Sequence, residues 1–99
     1  MTRKDILDAA DKCVNGEREA SYGSPENNFA TIAAFWTNYI RSVTGVEVEG
    51  LIITPKDVAA MLALLKIARI ASGNAKDDNW IDLAGYAACG GEIESTCEH

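Results

Sequence analysis

The stretch TPKDVAAMLALLKIARI, residues 54–70, decides the fold of this chain. Thr54, Pro55 and Asp57 are the residue types favoured at the N-cap, N1 and N3 positions of an α-helix, so they predict a helix start. Apolar residues then cover nearly the whole circumference of the helix as far as about Ala71. A helix that is apolar all round is typical of a buried position, so we expect the third helix to be central and buried.

Three further helices are predicted around the third one, each bounded by residue types that start or stop helices. Their expected bounds are Thr2 to about Gly16, Pro25 to about Ser42, and Asp77 or Asp78 to Gly90 and Gly91. The segment between the second and third helices is expected to be a loop, with a short β-like segment at 46–53 as the alternative. The sequence therefore predicts one all-α domain over residues 1–99, a compact four-helix unit with its core at 2–92 and a frayed tail at 93–99.

Composition excludes several classes of function. The formal charge of −6 and the pI near 4.6 argue against a surface that binds nucleic-acid backbones. No apolar run reaches the roughly 20 residues needed to cross a bilayer, and no signal peptide is visible. The three cysteines form no paired framework and indicate reduced thiols. We expect a cytoplasmic protein without nucleic-acid or membrane partners, and its small size favours a homo-oligomer.

Two cations interrupt the apolar third helix. Lys66 and Arg69 are three residues apart, so they project from one face, near the helix C-terminus where the dipole favours positive charge. In an acidic protein they are expected to meet anions. Those anions are either internal carboxylates, with Asp82 pairing with Arg69 and Asp78 acting as a cap, or the phosphates of a bound ligand.

The fourth helix carries a polar row. Asp78, Asp82 and Tyr86 are spaced i, i+4, i+8, and Asn79 lies one position aside, so they share a sector of the helix. Carboxylate oxygens suit magnesium, which makes the two aspartates a candidate metal and catalytic pair. Gly85 lies in mid-helix, where its cost predicts close approach of another helix or of a ligand.

A third polar group precedes the second helix. Arg18, Tyr22 and Asn28 cluster near a helix N-terminus, which is a natural site for anions. No P-loop, nucleophile elbow, dinucleotide fingerprint or zinc-protease motif is present, so metal-assisted chemistry on a phosphorylated ligand, or binding alone, remains. The candidate ligand-binding residues are Arg18, Tyr22, Asn28, Lys66, Arg69, Asn79 and Tyr86.

Over about residues 5–92 the chain resembles a family of small uncharacterised proteins common in tailed phages and prophages. The resemblance is carried by REASYGSPENNF, IAAFW, TPKDVAAMLALLKIARI and DDNWIDLAGYAA. More distantly it is similar to the all-α NTP pyrophosphatase (MazG-like) group, which hydrolyses nucleoside triphosphates to monophosphates with magnesium. That group carries E-x-x-E on one helix facing E-x-x-D on the next, whereas here the third helix has no E-x-x-E and the fourth offers D-x-x-x-D.

Two functions remain open, and the resemblance to the MazG-like group, whose members usually assemble as dimers or tetramers, implies the first. The first is a magnesium-dependent nucleoside triphosphate pyrophosphohydrolase in the host cytoplasm, in which Asp78 and Asp82 hold the metal while Lys66, Arg69 and Arg18 neutralise phosphates. The alternative is a non-catalytic oligomeric module that sequesters a nucleotide signal or contacts a host protein. For either function we expect two copies to meet through an apolar contact of the second and third helices.

Overall fold

A computed structural model describes residues 1–16, 25–45, 52–73 and 76–96. Throughout these ranges the only regular secondary structure is α-helix, which confirms the all-α prediction. The β-like alternative at 46–53 falls largely outside the described residues, and the two that are described, Ile52 and Ile53, form no strand. The four helices are α1 (Arg3–Asn15), α2 (Pro25–Thr44), α3 (Pro55–Ala71) and α4 (Asp77–Thr96). Within the described ranges none is long and apolar enough to span a membrane.

The starts of α1 and α3 follow from local hydrogen bonding alone. The backbone N–H of Thr2 donates to Oδ2 of Asp5 at 2.9 Å, and the N–H of Asp5 donates to Oγ1 of Thr2 at 3.1 Å. Thr54 and Asp57 repeat this reciprocal pair at 2.9 and 3.3 Å. Each carboxylate accepts hydrogen bonds from its threonine, and the bond from the threonine backbone has the larger effect. These bonds hold the pKa of Asp5 and the pKa of Asp57 below the ordinary value. Both helix starts are thus capping boxes, and the helix starts predicted at Thr2 and Thr54 are confirmed.

Helices α3 and α4 form the centre of the packing. The most extensive neighbour of α3 is α4, and α2 packs on α3 too, while α1 packs mainly on α4. The buried core lies where α2, α3 and α4 meet and consists of Phe29, Ala33, Val58, Ala59 and Ile93. Helix α3 thus lies between α2 and α4, whereas α4 packs against all three other helices.

Two glycines set how closely the helices approach. A β-carbon built on Gly85 would lie 3.3 Å from Cγ1 of Val14, so α1 crosses α4 at this glycine. This contact confirms the predicted close approach of another helix. A β-carbon on Gly90 would lie 3.0 Å from Cβ of Ala59, closer than ordinary contact. A side chain at position 90 would therefore require α3 and α4 to separate by a few tenths of an ångström.

The predicted end of α4 at Gly90 and Gly91 is wrong, since the helix continues to Thr96. Ile93, in the segment expected to fray, is 3% exposed and belongs to the core. Glycine costs a helix up to about 1 kcal/mol, and burial of one isoleucine contributes more than that. Packing of Ile93 in the core therefore keeps α4 helical past Gly90 and Gly91.

The expectation that α3 is buried on all sides is also wrong. Its outward residues form what we name the α3 apolar surface: Ala60, Met61, Leu64, Leu65, Ile67 and Ala68, all exposed. The four large side chains are 39%, 61%, 52% and 48% exposed, in that order along the chain. Among the described residues, α2 and α4 cover one side of α3, and the side chains on its other side are exposed.

A buried threonine on α2 holds the residues that precede α3 in place. Thr37 is 7% exposed, and its Oγ1 donates to the carbonyl of Ala33 at 2.7 Å. The same oxygen accepts the backbone N–H of Ile53 at 2.9 Å. One hydroxyl thereby ties the residues before α3 to the middle of α2.

Candidate functional site

The polar side chains predicted on α3 and α4 meet in one place, which we name the polar cluster: Lys66, Arg69, Asn79 and Asp82. The register of the two helices explains the meeting. Only residues 72–76 separate them in sequence, and they run antiparallel, so a residue early in α3 faces one late in α4. The contacts 66 to 82, 69 to 79 and 59 to 90 all fit this one register.

Lys66 and Asp82 form the charged half of the cluster. Nζ of Lys66 lies 2.8 Å from Oδ2 of Asp82, and the two side chains are only 15% and 24% exposed. Because both groups are largely removed from water, each needs the other's charge. The carboxylate that was predicted to bind metal is therefore occupied by an internal cation.

Arg69 and Asn79 form the other half, in which a guanidinium is bonded to a neutral amide. Nε of Arg69 donates to Oδ1 of Asn79 at 3.1 Å, and Asn79 is 2% exposed. Arg69 itself stays exposed to solvent. The predicted pair of Arg69 with Asp82 is wrong, because it would be three residues, about 4.5 Å of helix rise, out of register. Lys66 lies at the matching height and takes the carboxylate instead.

The remaining predicted residues do not join the cluster. Asp78 is exposed on the first turn of α4, and Asn28 is exposed near the start of α2. Tyr86 is half-buried and packs against the hydrophobic core. Arg18 and Tyr22 lie outside the described residues.

The carboxylates are spread rather than gathered. In the part of the chain that the structure describes, no three His, Cys, Asp or Glu side chains are grouped as a metal site would need. The cluster can thus do two things chemically. It locks α3 to α4, and it holds the guanidinium of Arg69 in a fixed orientation at the surface.

Sequence reasoning underestimated the exposure of the α3 apolar surface, because it expected α3 to be buried even though it also expected two copies to meet through an apolar contact of α2 and α3. The apolar pattern was correctly recognised, but a pattern that is apolar all round does not say whether the same chain or another one covers each side. A signal was present in the acidic charge and the short chain, which leave few residues to cover a fourth side of a central helix.

The helices and their polar contacts define a small all-α domain. The chain belongs to the family described as Domain of unknown function (DUF6378), whose model matches residues 5–94. It is similar to the Gene 55 protein of Mycobacterium phage L5, with 43% identity over 82 residues, which are 83% of this chain and 47% of that protein. It is also similar to the Gene 55 protein of Mycobacterium phage D29, with 36% identity over 84 residues, 85% of this chain and 50% of that protein.

The chain thus spans about half the length of the curated relatives it matches. No solved structure matches it. The family and its phage relatives are therefore established by sequence, and the fold described above rests on the chain's own geometry.

Proposed function

We propose that this chain is a non-catalytic module of a phage that binds a small phosphorylated ligand, a nucleotide in the first instance, with Arg69 as its anchor. The observation that carries this proposal is the bond from Nε of Arg69 to the buried Asn79. It fixes one edge of the guanidinium and leaves the residue exposed. A fixed guanidinium binds phosphate in two parallel hydrogen bonds and loses little freedom on binding.

The pairing of Asp82 favours binding over hydrolysis. Its carboxylate lies 2.8 Å from Nζ of Lys66 in a place that is mostly shielded from water. Separating these charges leaves a lysine without its counter-ion, which is unfavourable in such surroundings. Asp82 therefore serves the packing of α3 on α4 in this proposal, and Lys66 is not available to neutralise a phosphate.

Ligand-induced stabilisation tests the proposal. The thermal midpoint is measured with a panel of nucleoside mono-, di- and triphosphates and cyclic nucleotides. A ligand at 100 times its Kd raises the free energy of unfolding by about 2.7 kcal/mol. Arg69→Gln should abolish the shift, whereas Arg3→Gln, which removes another exposed arginine, should leave it unchanged. A panel that gives no shift, or a shift retained by Arg69→Gln, refutes Arg69 as an anchor.

A second candidate is the magnesium-dependent, MazG-like pyrophosphohydrolase, and the exposed carboxylate of Asp78 favours it. Magnesium is commonly held by one or two carboxylates together with substrate phosphates. Asp78 fits that requirement, but Asp82 fits only if it gives up Lys66. The fit is therefore incomplete among the described residues.

Pyrophosphate release from nucleoside triphosphates in the presence of magnesium distinguishes the two candidates. Hydrolysis predicts turnover that both Asp78→Asn and Asp82→Asn abolish. Binding alone predicts a thermal shift with no product. Turnover that survives both substitutions would exclude this pair of aspartates from the reaction.

A further inference from the structure

The α3 apolar surface is a continuous uncharged strip. At 100° per residue its six members, Ala60, Met61, Leu64, Leu65, Ile67 and Ala68, cover about 160° of the helix. No charged residue between 58 and 71 falls inside that arc. On a helix about 11 Å wide, nine residues of this arc present roughly 200 Å². Because a stable interface covers about 800 Å² per partner, the strip has the size of an apolar interface centre with a polar rim around it.

The strip is self-complementary about Leu64. Met61 and Ile67 lie three residues before and after it, and Ala60 and Ala68 lie four before and after. A two-fold axis at Leu64, perpendicular to the helix, sets the copies antiparallel. It then places Met61 opposite Ala68 of the second copy, and Ile67 opposite Ala60.

Large side chains therefore meet small ones on both sides of the axis, which is how helix faces interdigitate. A two-fold interface uses the same patch on both copies, so a patch must match itself in this way. Antiparallel helices also place the opposite ends of their dipoles together.

We propose that a second copy of this chain covers the α3 apolar surface, with the two α3 helices antiparallel and Leu64 packed against Leu64 of the other copy. The contact itself is uncharged, while each copy carries a net charge of −6. Salt screens the repulsion between the copies. Self-association should therefore tighten as the salt concentration rises.

Sedimentation equilibrium over a range of protein concentrations tests the proposal with two matched variants. Leu64 and Leu7 are both exposed leucines, at 61% and 63%, but Leu7 lies on α1. Leu64→Glu places two charges at the axis and should weaken the dimer at least about 100-fold. Leu7→Glu should dimerise as the natural chain does. A natural chain that stays monomeric, or a Leu64→Glu variant that dimerises normally, overturns the proposal. Unchanged helical circular dichroism shows that Leu64→Glu still folds.

Disulfide trapping tests the orientation. Leu64→Cys should form a covalent dimer on oxidation, while Leu7→Cys and the natural chain set the background from the native thiols. An equal mixture of Met61→Cys and Ala68→Cys should trap the mixed dimer more than either variant alone. Trapping of Met61→Cys with itself in preference to that mixture would contradict the antiparallel arrangement.

Discussion

The ion pair of Lys66 with Asp82 yields the sharpest prediction, because the chain contains a second pair of the same length in different surroundings. The Nζ to Oδ2 distance is 2.8 Å for Lys66 and Asp82 and 2.7 Å for Lys4 and Asp8. The first pair has side chains 15% and 24% exposed, and the second 81% and 58%. The two pairs therefore differ mainly in burial, and a comparison isolates its effect.

The expected magnitudes follow from that difference. Two unit charges 2.8 Å apart attract with about 6 kcal/mol at an effective dielectric constant near 20. Removal from water costs several kcal/mol for each ion, which cancels most of this attraction. We expect a net coupling energy of about 1–2 kcal/mol for Lys66 and Asp82. For Lys4 and Asp8, an exposed pair spaced i, i+4, we expect about 0.3–0.5 kcal/mol.

Two double-mutant cycles measure these energies. Each uses alanine at one partner, at the other and at both, and the free energy of unfolding is taken from urea denaturation. High salt should reduce the coupling of the exposed pair more than that of the shielded one. A coupling for Lys66 and Asp82 no larger than that of Lys4 and Asp8 would refute the view that this pair locks α3 to α4. It would also return Asp82 to the list of available metal ligands.

Three other substitutions test the fold. Ile93→Ala should lower the free energy of unfolding by about 2–4 kcal/mol because it leaves a cavity in the core. Glu94→Ala should change the free energy of unfolding by less than about 0.5 kcal/mol. Equal effects of the two substitutions in urea denaturation would mean that the end of α4 is not packed. Thr37→Val should cost about 1–3 kcal/mol since the N–H of Ile53 loses its acceptor, and Thr37→Ser should retain most of the stability; a valine variant as stable as the serine variant would contradict the role of the hydroxyl. Hydrogen bonds lower the pKa of Asp57 below 3.8 in the folded state, so the stabilisation by its carboxylate is present above that value and lost as the pH falls through the folded pKa. The urea midpoints of the natural chain and of Asp57→Asn should therefore differ at pH 7 and converge well below pH 3.8. A difference that stays constant with pH would exclude this linkage.

Local chemistry made much of the fold predictable. The capping boxes at Thr2 and Thr54 depend on residues three apart, so the sequence contains every group that takes part. The mid-helix position of Gly85 indicated a close approach, because an uncompensated glycine is unfavourable there. It did not indicate that Val14 would be the neighbour, since that depends on how α1 crosses α4.

The parts that failed depend on contacts distant in sequence. Glycines usually end a helix, but the burial of Ile93 outweighs the cost of Gly90. The pairing within the polar cluster depends on the register of α3 against α4, and a slip of one turn exchanges Lys66 for Arg69 as the partner of Asp82. The right residues were thus predicted to meet, with the wrong pairs among them.

The contact of Ala59 with Gly90 limits which sequences this fold can accept. A side chain larger than alanine at position 59, or any β-carbon at position 90, would push α3 from α4. Lys66 and Asp82 lie further along the same seam, so a wider seam would also lengthen their bond. Gly90→Ala should therefore be tolerated better together with Ala59→Gly than alone. A search for tolerated variants at these two positions would read out the spacing of the helices without any structure determination.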